Sequence, residues 1–340
     1  MIMTDNQTVD EKIQIKQDDC KKEIFNADKD KKDDILGRIR FAENMSLRLL
    51  NYKADESVII GLNGEWGSGK SSVINLIKQC INNNNDNAGK PAIINFNPWI
   101  FSKREDITRY FFDEISSAFD YKNRSEEDKA TAEKFRSYAK LLGALEYVPN
   151  SSVFLFSKFL KNIFKRCEKY CRKSENVSIM GIKNELNDRL IKNKRNTIVF
   201  IDDIDRLTNK EIREIFRLVR VNADFWKMIY VIAFDRHIVE KSFEEQGKEY
   251  LENIIQVNVN VPFPSKEGLS EFLCRELDRV IKTLPASAQE YFNKDENENN
   301  WDSVYRSGFR DFFKNIRDIK RFISGLEFNI SRYLECVKIM

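Results

Sequence analysis

Apolar residues fall into five short runs that predict β-strands, separated by stretches with helical periodicity. The predicted strands cover residues 57–62, 92–96, 197–201, 228–234 and 254–261. Each run is rich in β-branched side chains, and the last stops at Pro262. Short apolar strands that alternate with helices predict an α/β fold with a parallel sheet covered on both faces.

The spacing of these runs is uneven, which predicts added helical segments. No strand pattern occurs between residues 96 and 197, although a crossover between parallel strands needs only about a dozen residues. We therefore expect a helical insertion at about residues 102–190. Helical patterns over 267–283, 305–316 and 318–336 predict a C-terminal helical lobe.

These patterns predict three parts along the chain. Residues 1–30 are polar with few large apolar groups, so we expect a weakly ordered N-terminal arm. Residues 31–265 hold the strands and the insertion, and we expect them to form the core. We expect residues 266–340 to form the helical lobe.

A complete G-x-x-x-x-G-K-[ST] motif follows the first predicted strand. Its glycines allow the backbone N–H groups to point inward around phosphate oxygens, and the next helix presents its positive end to the same anion. Lys70 is expected to bridge the β- and γ-phosphates of ATP, and the Ser71 hydroxyl to coordinate Mg²⁺. The predicted nucleotide contacts are Gly64, Glu65, Trp66, Gly67, Ser68, Gly69, Lys70, Ser71 and Ser72.

The third predicted strand ends in carboxylates, as a phosphate-loop enzyme requires. Asp202 is expected to hold Mg²⁺, directly or through water. Asp203 is placed to orient or deprotonate the attacking water, which is a general-base role. The two acids and the phosphate loop together predict a nucleoside triphosphatase.

Other polar residues have two open interpretations each. Asp235 follows the fourth strand, where it either senses the γ-phosphate and the attacking water or belongs to a solvated turn. A guanidinium is the natural group to neutralise transition-state charge on phosphate. The candidates are Arg206, Arg236, Arg317 and Arg321, which the sequence does not rank, and the last two alternatively lie on an exposed helix face.

Composition excludes several other classes. The 57 basic residues exceed the 54 acidic ones by only three, so charge does not support a nucleic-acid partner. The scattered cysteines and single histidine do not fit structural zinc spacing. No signal-peptide pattern and no apolar run of 18 residues occurs, so we expect a cytoplasmic protein.

Residues 151–173 combine an apolar helical stripe with seven cations. Such a helix either packs its apolar face on the core or lies on an anionic membrane surface. Glu168 interrupts the positive charge and the run is too short to span a bilayer, so the packing interpretation is favoured.

The motifs together resemble those of the KAP family of P-loop NTPases, over about residues 34–336. The matching segments are 34–42, 61–72, 96–99, 200–206, 231–236, 250–255 and 317–322. The resemblance implies an ATPase of the AAA-related branch with a five-stranded core and a helical lobe. It also implies protein partners in anti-phage defence or in membrane-linked signalling. Many members carry membrane spans between the phosphate loop and the acidic strand, where this chain has only the stretch described above. Members also commonly continue with further helices, so the resemblance implies that the lobe at residues 266–340 is truncated.

Four functions remain open at this stage. The first is an ATPase that energises or gates a partner in a prokaryotic anti-phage defence system. The second is a nucleotide-gated scaffold or switch with negligible turnover, and the third is a peripheral membrane protein. A nucleic-acid motor has no support beyond the phosphate loop. The sequence leaves open the partner, the choice of ATP over GTP, and whether the chain forms a homo-oligomer.

Overall fold

A computed structural model describes residues 36–83, 91–102, 106–120, 125–146, 179–193, 196–243, 247–286, 289 and 308–339. The chain divides into two compact units. The first contains residues 1–46, 64–80 and 261–340, and the second contains residues 47–63 and 81–260. The predicted division into arm, core and lobe follows different boundaries and stays a prediction.

The described residues include five strands and ten α-helices. The strands are β1 (Val58–Asn63), β2 (Ala92–Phe96), β3 (Thr197–Ile201), β4 (Met228–Phe234) and β5 (Val257–Asn260). The helices are α1 (Ile39–Leu50), α2 (Lys70–Asn83), α3 (Ile107–Phe119), α4 (Glu126–Glu146), α5 (Ile179–Asn193), α6 (Asn209–Arg217), α7 (Arg236–Ser242), α8 (Gly247–Ile254), α9 (Lys266–Ile281) and α10 (Ile316–Ile339). None of these described helices is long and apolar enough to cross a membrane.

The second unit is built on one parallel sheet, with strand order β2-β3-β4-β1-β5. Every residue of β1, β3 and β4 is buried, as strands covered on both faces require. Ile201 pairs with Ile232, and Asn63 pairs with Phe234. The carboxyl ends of β1, β3 and β4 therefore meet at the same edge of the sheet. The predicted α/β fold with five parallel strands is confirmed.

The fifth strand is shorter than the sequence pattern predicts. The prediction started it at Ile254, but Ile254 is the last residue of α8 and β5 begins at Val257. Leu251, Ile254 and Ile255 are all buried in the core cluster of this unit. Their spacing fits one face of a helix as well as it fits a buried strand, so periodicity alone could not place the boundary.

The described part of the predicted insertion is helical, as expected. Helices α3, α4 and α5 lie between β2 and β3 in the sequence, and aromatic rings join them to the chain before β4. The ring of Phe225 lies edge-on to Phe135 and Tyr138, with centroids 5.4 and 5.6 Å away. Edge-to-face pairs of this kind add about 0.5–1.5 kcal/mol each to the burial of the rings. The amphipathic stretch 151–173 lies outside the described residues.

One carboxylate links α4 to α5. Glu185 on α5 accepts hydrogen bonds from Lys134 on α4 at 2.6 Å and from Arg189, one turn away, at 3.1 Å. Partial burial raises the pKa of Glu185, but the two cations outweigh burial and hold it below its ordinary value. The contact favours the ionised carboxylate at neutral pH.

Helices α9 and α10, which fall in the predicted helical lobe, belong to the first unit. Helices α9 and α10 pack through a buried cluster that includes Phe272, Leu273 and Ile319. The predicted helix over 305–316 is wrong where the structure describes it, because Phe309–Phe312 form one short 3-10 turn and α10 starts only at Ile316. Asn315 accepts a hydrogen bond from the Asp318 N–H at 3.1 Å and so closes the first turn of α10.

Candidate functional site

The motif segment forms a tight loop directly after β1 and directly before α2. Gly67 and Gly69 have φ angles of +89° and +84°, which only glycine adopts without strain. The Ser68 N–H donates to the Glu65 carbonyl at 3.0 Å. The sequence therefore supplies glycine at the two positions where the turn requires it.

Lys70 lies folded against the loop that precedes it. Its side chain is only 9% exposed, and its Nζ donates to the carbonyl oxygens of Gly64 at 2.8 Å and Glu65 at 3.4 Å. The first residue of α2 thus holds a buried cation against the loop backbone. A cation and a helix N-terminus at one loop favour an anion there.

The loop also contains a buried hydroxyl that fits a polar ligand. Ser68 is 5% exposed, and its Oγ has no hydrogen-bond partner among the described residues. A Cβ atom at Gly64 would overlap this hydroxyl, so only glycine leaves room for it. Buried polar atoms are normally paired. The residues present therefore fit a polyphosphate group.

The helical lobe contacts this loop within the same unit. The Arg317 guanidinium lies over the Trp66 ring, 5.0 Å from its centroid. The Asn315 side chain lies beside Gly67, where a Cβ atom would meet its Oδ1 at 3.0 Å. The start of α10 is thus packed against the middle of the phosphate loop.

In the other unit, the carboxylates after β3 adopt a distinct backbone conformation. The Asp202 N–H donates to the Phe96 carbonyl of β2 at 3.2 Å, which continues the pairing of the two strands. Asp203 has φ 61° and ψ 24°, a left-handed conformation that Asp and Asn tolerate best among non-glycine residues. The turn is further held by the Asp203 N–H, which donates to the Asp202 carboxylate at 2.8 Å.

Both carboxylate oxygens of Asp203 have a polar partner, one through a hydrogen bond and one through an ion pair. Oδ2 accepts from the Asn97 side-chain amide at 2.7 Å, and Oδ1 lies 2.9 Å from the Arg206 Nε. The Arg206 guanidinium also lies over the Trp99 ring, 4.7 Å from its centroid. Trp99 remains 47% exposed. Asp203 is therefore joined through its partners to a surface aromatic residue.

Asp235 acts as a helix cap. Its carboxylate Oδ1 accepts from the His237 N–H at 3.0 Å at the start of α7. Its own N–H donates to the Asp205 Oδ1 at 2.7 Å. Asp205 thereby ties the turn after β3 to the end of β4. The structure gives the Asp235 side chain a local structural role, and its expected role toward phosphate stays a prediction.

The four candidate arginines differ in their surroundings. Arg206 and Arg317 lie against predicted site residues, as described above. Arg236 instead donates from Nε to Glu240 at 2.6 Å and lies 3.5 Å from Glu252, and these contacts raise its pKa above the ordinary value. Arg321 is exposed on α10. These placements favour Arg206 and Arg317 over Arg236.

Sequence reasoning gave no role to two residues that the structure places in contact with the predicted site. Arg38 contacts the phosphate loop, and Asn97 contacts Asp203. The sequence offered one signal for each residue. Arg38 directly precedes α1, and Asn97 directly follows β2, which neighbours β3 in the sheet. The structure groups the loop residues in one unit and the strand-end carboxylates in the other.

The strand, glycine loop, buried lysine and helix define the class of P-loop nucleotide-binding proteins. A profile of the KAP family P-loop domain matches residues 38–333. The chain belongs to the KAP family of P-loop NTPases.

One relative with a described role is the phage T7 exclusion protein of Escherichia coli (strain K12). It is 25% identical over 251 residues, which is 68% of this chain and 34% of that protein. This chain thus matches about a third of the length of that relative.

Solved structures with similarity to this chain include two proteins. They are the Aeropyrum pernix ORC1 protein in complex with DNA and the Cdc6p protein from Pyrobaculum aerophilum. The first is 11% identical with a TM-score of 0.37, covering 89% of this chain and 68% of that one. The second is 10% identical with a TM-score of 0.37, covering 74% and 51%. The fold assignment rests on the sheet itself, not on these neighbours.

Proposed function

We propose that this KAP-family protein binds ATP and hydrolyses the bond to its γ-phosphate in a magnesium-dependent reaction. The observation that carries the proposal is the phosphate loop itself. It combines two left-handed glycines, a buried Lys70 amine and a buried Ser68 hydroxyl with no partner in the described chain. This set of groups suits a polyphosphate better than any other common ligand.

The proposal gives each residue type one task. The loop N–H groups and Lys70 bind the phosphates. The Ser71 hydroxyl and the Asp202 carboxylate are the groups that would hold Mg²⁺, which neutralises charge on the phosphate oxygens when it is bound. Asp203 accepts the proton of the attacking water, and Arg206 or Arg317 stabilises negative charge in the transition state.

Substitution of Lys70 tests the proposal most directly. Lys70→Ala is expected to abolish ATP-dependent thermal stabilisation and phosphate release, because it removes the cation at the loop. Lys53→Ala is the matched control, since Lys53 is exposed and lies outside the loop. Competition with GTP in the same assay gives the base preference. Tight ATP binding and normal turnover by Lys70→Ala would exclude this loop as the nucleotide site.

We further propose that hydrolysis energises or gates a protein partner in anti-phage defence. Support comes from the partial similarity to the phage T7 exclusion protein. Plaque counts on bacteria that express the full natural protein, compared with its Lys70→Ala variant, test this role. Equal plaque counts for the active protein and an empty vector, across a panel of unrelated phages, would contradict it.

A nucleotide-gated switch is the second candidate, and one observation favours it. The two Asp203 oxygens already contact Asn97 and Arg206, so these contacts must change before either oxygen can orient an attacking water. If the protein is such a switch, the purified protein binds Mg-ATP tightly and releases almost no phosphate until a partner is added. Steady phosphate release by the isolated protein would favour the enzyme over the switch.

A further inference from the structure

A buried arginine lies against the phosphate loop in the first unit. Arg38 directly precedes α1 and is only 1% exposed. Its Nη2 donates to the Ser68 carbonyl oxygen at 2.5 Å, and it lies 3.3 Å from the carbonyl oxygen of Pro262. One side chain thus joins three segments that are far apart in the sequence.

The contact with Ser68 sets the direction of a peptide group. A trans peptide is planar, so its C=O and N–H point in opposite directions. When Arg38 holds the Ser68 carbonyl on its own side, the N–H of Gly69 in the same peptide points away from Arg38. Loop N–H groups that share one direction form the concave anion site of this motif.

The same guanidinium explains why residue 69 has no side chain. A Cβ atom at Gly69 would overlap the Arg38 Nη1 atom. The φ angle of +84° would also disfavour a side chain there. The loop backbone and the arginine are therefore fitted to each other at van der Waals distance.

We propose that Arg38 is a positioning residue for polyphosphate binding, a role that rests on the proposed nucleotide site. It fixes the Ser68–Gly69 peptide and adds a permanent positive charge beneath the loop, because a guanidinium stays protonated at all physiological pH values. Its effect is directed at the phosphates and not at the base. Binding of inorganic tripolyphosphate should therefore depend on Arg38 as strongly as binding of ATP does.

The test compares three variants of the full chain. Arg38→Gln removes the charge, Arg38→Lys keeps the charge but cannot reproduce the guanidinium geometry, and Arg40→Gln is a matched control on an exposed side chain two residues away. Calorimetry gives the affinities for ATP and tripolyphosphate, and thermal melting without ligand reports folding. Loss of one charged hydrogen bond predicts about tenfold to a hundredfold weaker binding of both ligands by Arg38→Gln.

Each outcome decides the proposal. It is supported if Arg38→Gln and Arg38→Lys melt cooperatively and lose affinity for ATP and tripolyphosphate by similar factors, while Arg40→Gln is unchanged. If Arg38→Gln does not fold, Arg38→Lys alone decides in the same way. Wild-type affinity in the folded variants, or a loss for ATP but not for tripolyphosphate, overturns it. Failure of the wild-type protein to bind either ligand overturns the proposed function as well.

Discussion

Replacing Asp203 by Asn tests its proposed role as general base separately from its structural contacts. The asparagine has the same size and also tolerates the left-handed backbone at φ 61°, so the turn keeps its conformation. One amide oxygen can still accept a hydrogen bond from Asn97 or Arg206. The new NH₂ group must face the other donor, which loses one of the two contacts.

Two effects of Asp203→Asn are expected, a lower stability and a slower hydrolysis. A hydrogen bond to a charged group contributes about 1.5–3 kcal/mol, and the partial exposure of Asp203 and Arg206, 25% and 32%, favours the lower end. A loss of about 1.5 kcal/mol lowers the melting temperature of a unit of this size by roughly 3–6 °C. Loss of a general base slows hydrolysis by about 10²–10⁴-fold.

Phosphate release and ligand binding are measured at least about 20 °C below the melting temperature of the variant. At that temperature the folded state stays dominant despite a destabilisation of this size. Asp203→Asn should keep the thermal stabilisation by Mg-ATP while the hydrolysis rate falls. Asp205→Asn is the matched control, since Asp205 is the next acid in the same turn and its Oδ1 accepts from the Asp235 N–H at 2.7 Å. An unchanged rate in Asp203→Asn, with ATP still bound, would refute the role of Asp203 as the base.

Three further predictions follow from the described contacts. Asp202→Asn should raise the Mg²⁺ concentration needed for half-maximal phosphate release, while nucleotide binding without metal stays unchanged. Arg317→Ala should lower the melting temperature by about 1–3 °C, because an exposed cation–π contact contributes about 0.5–1 kcal/mol. It should also alter the quenching of tryptophan fluorescence by acrylamide, and Trp66→Phe should abolish that difference. Glu185→Gln should melt below wild type at pH 7, and this difference in melting temperature should shrink as the pH falls through the lowered pKa of Glu185. A gap that widens with acid would contradict this assignment.

Contiguous features were predictable from the sequence. The phosphate loop is one run of eight residues between a strand and a helix, so every requirement for it is local. Strands β2, β3 and β4 have the bounds that their apolar runs predict. Predictions were poorer where an apolar run fits both a helix and a strand, as at Ile254. They were also poorer where a glycine and a helix cap interrupt an apolar pattern, as between Gly308 and Asn315.

Contacts between distant residues were not predictable in this way. Arg38 meets the loop 30 positions away, and Asn97 meets Asp203 across 106 positions. Each residue is unremarkable in its own segment, and only the fold brings the partners together. The strand order explains the second contact, because β2 and β3 are neighbours in the sheet despite the long helical segment between them.

The discontinuous makeup of the first unit has a consequence during synthesis. All residues of the second unit have been translated once residue 260 is added. Pro262, which contacts Arg38, and Arg317, which contacts Trp66 of the loop, come later in the chain. At about 5–20 residues per second, the interval from residue 260 to residue 317 lasts about 3–11 s. During that interval a ribosome-bound chain holds its sheet residues but lacks those supports for the loop. Nucleotide would then bind best after these late residues emerge from the ribosome. Because it binds the state that has these contacts, it would stabilise chains that include residue 317 over shorter ones.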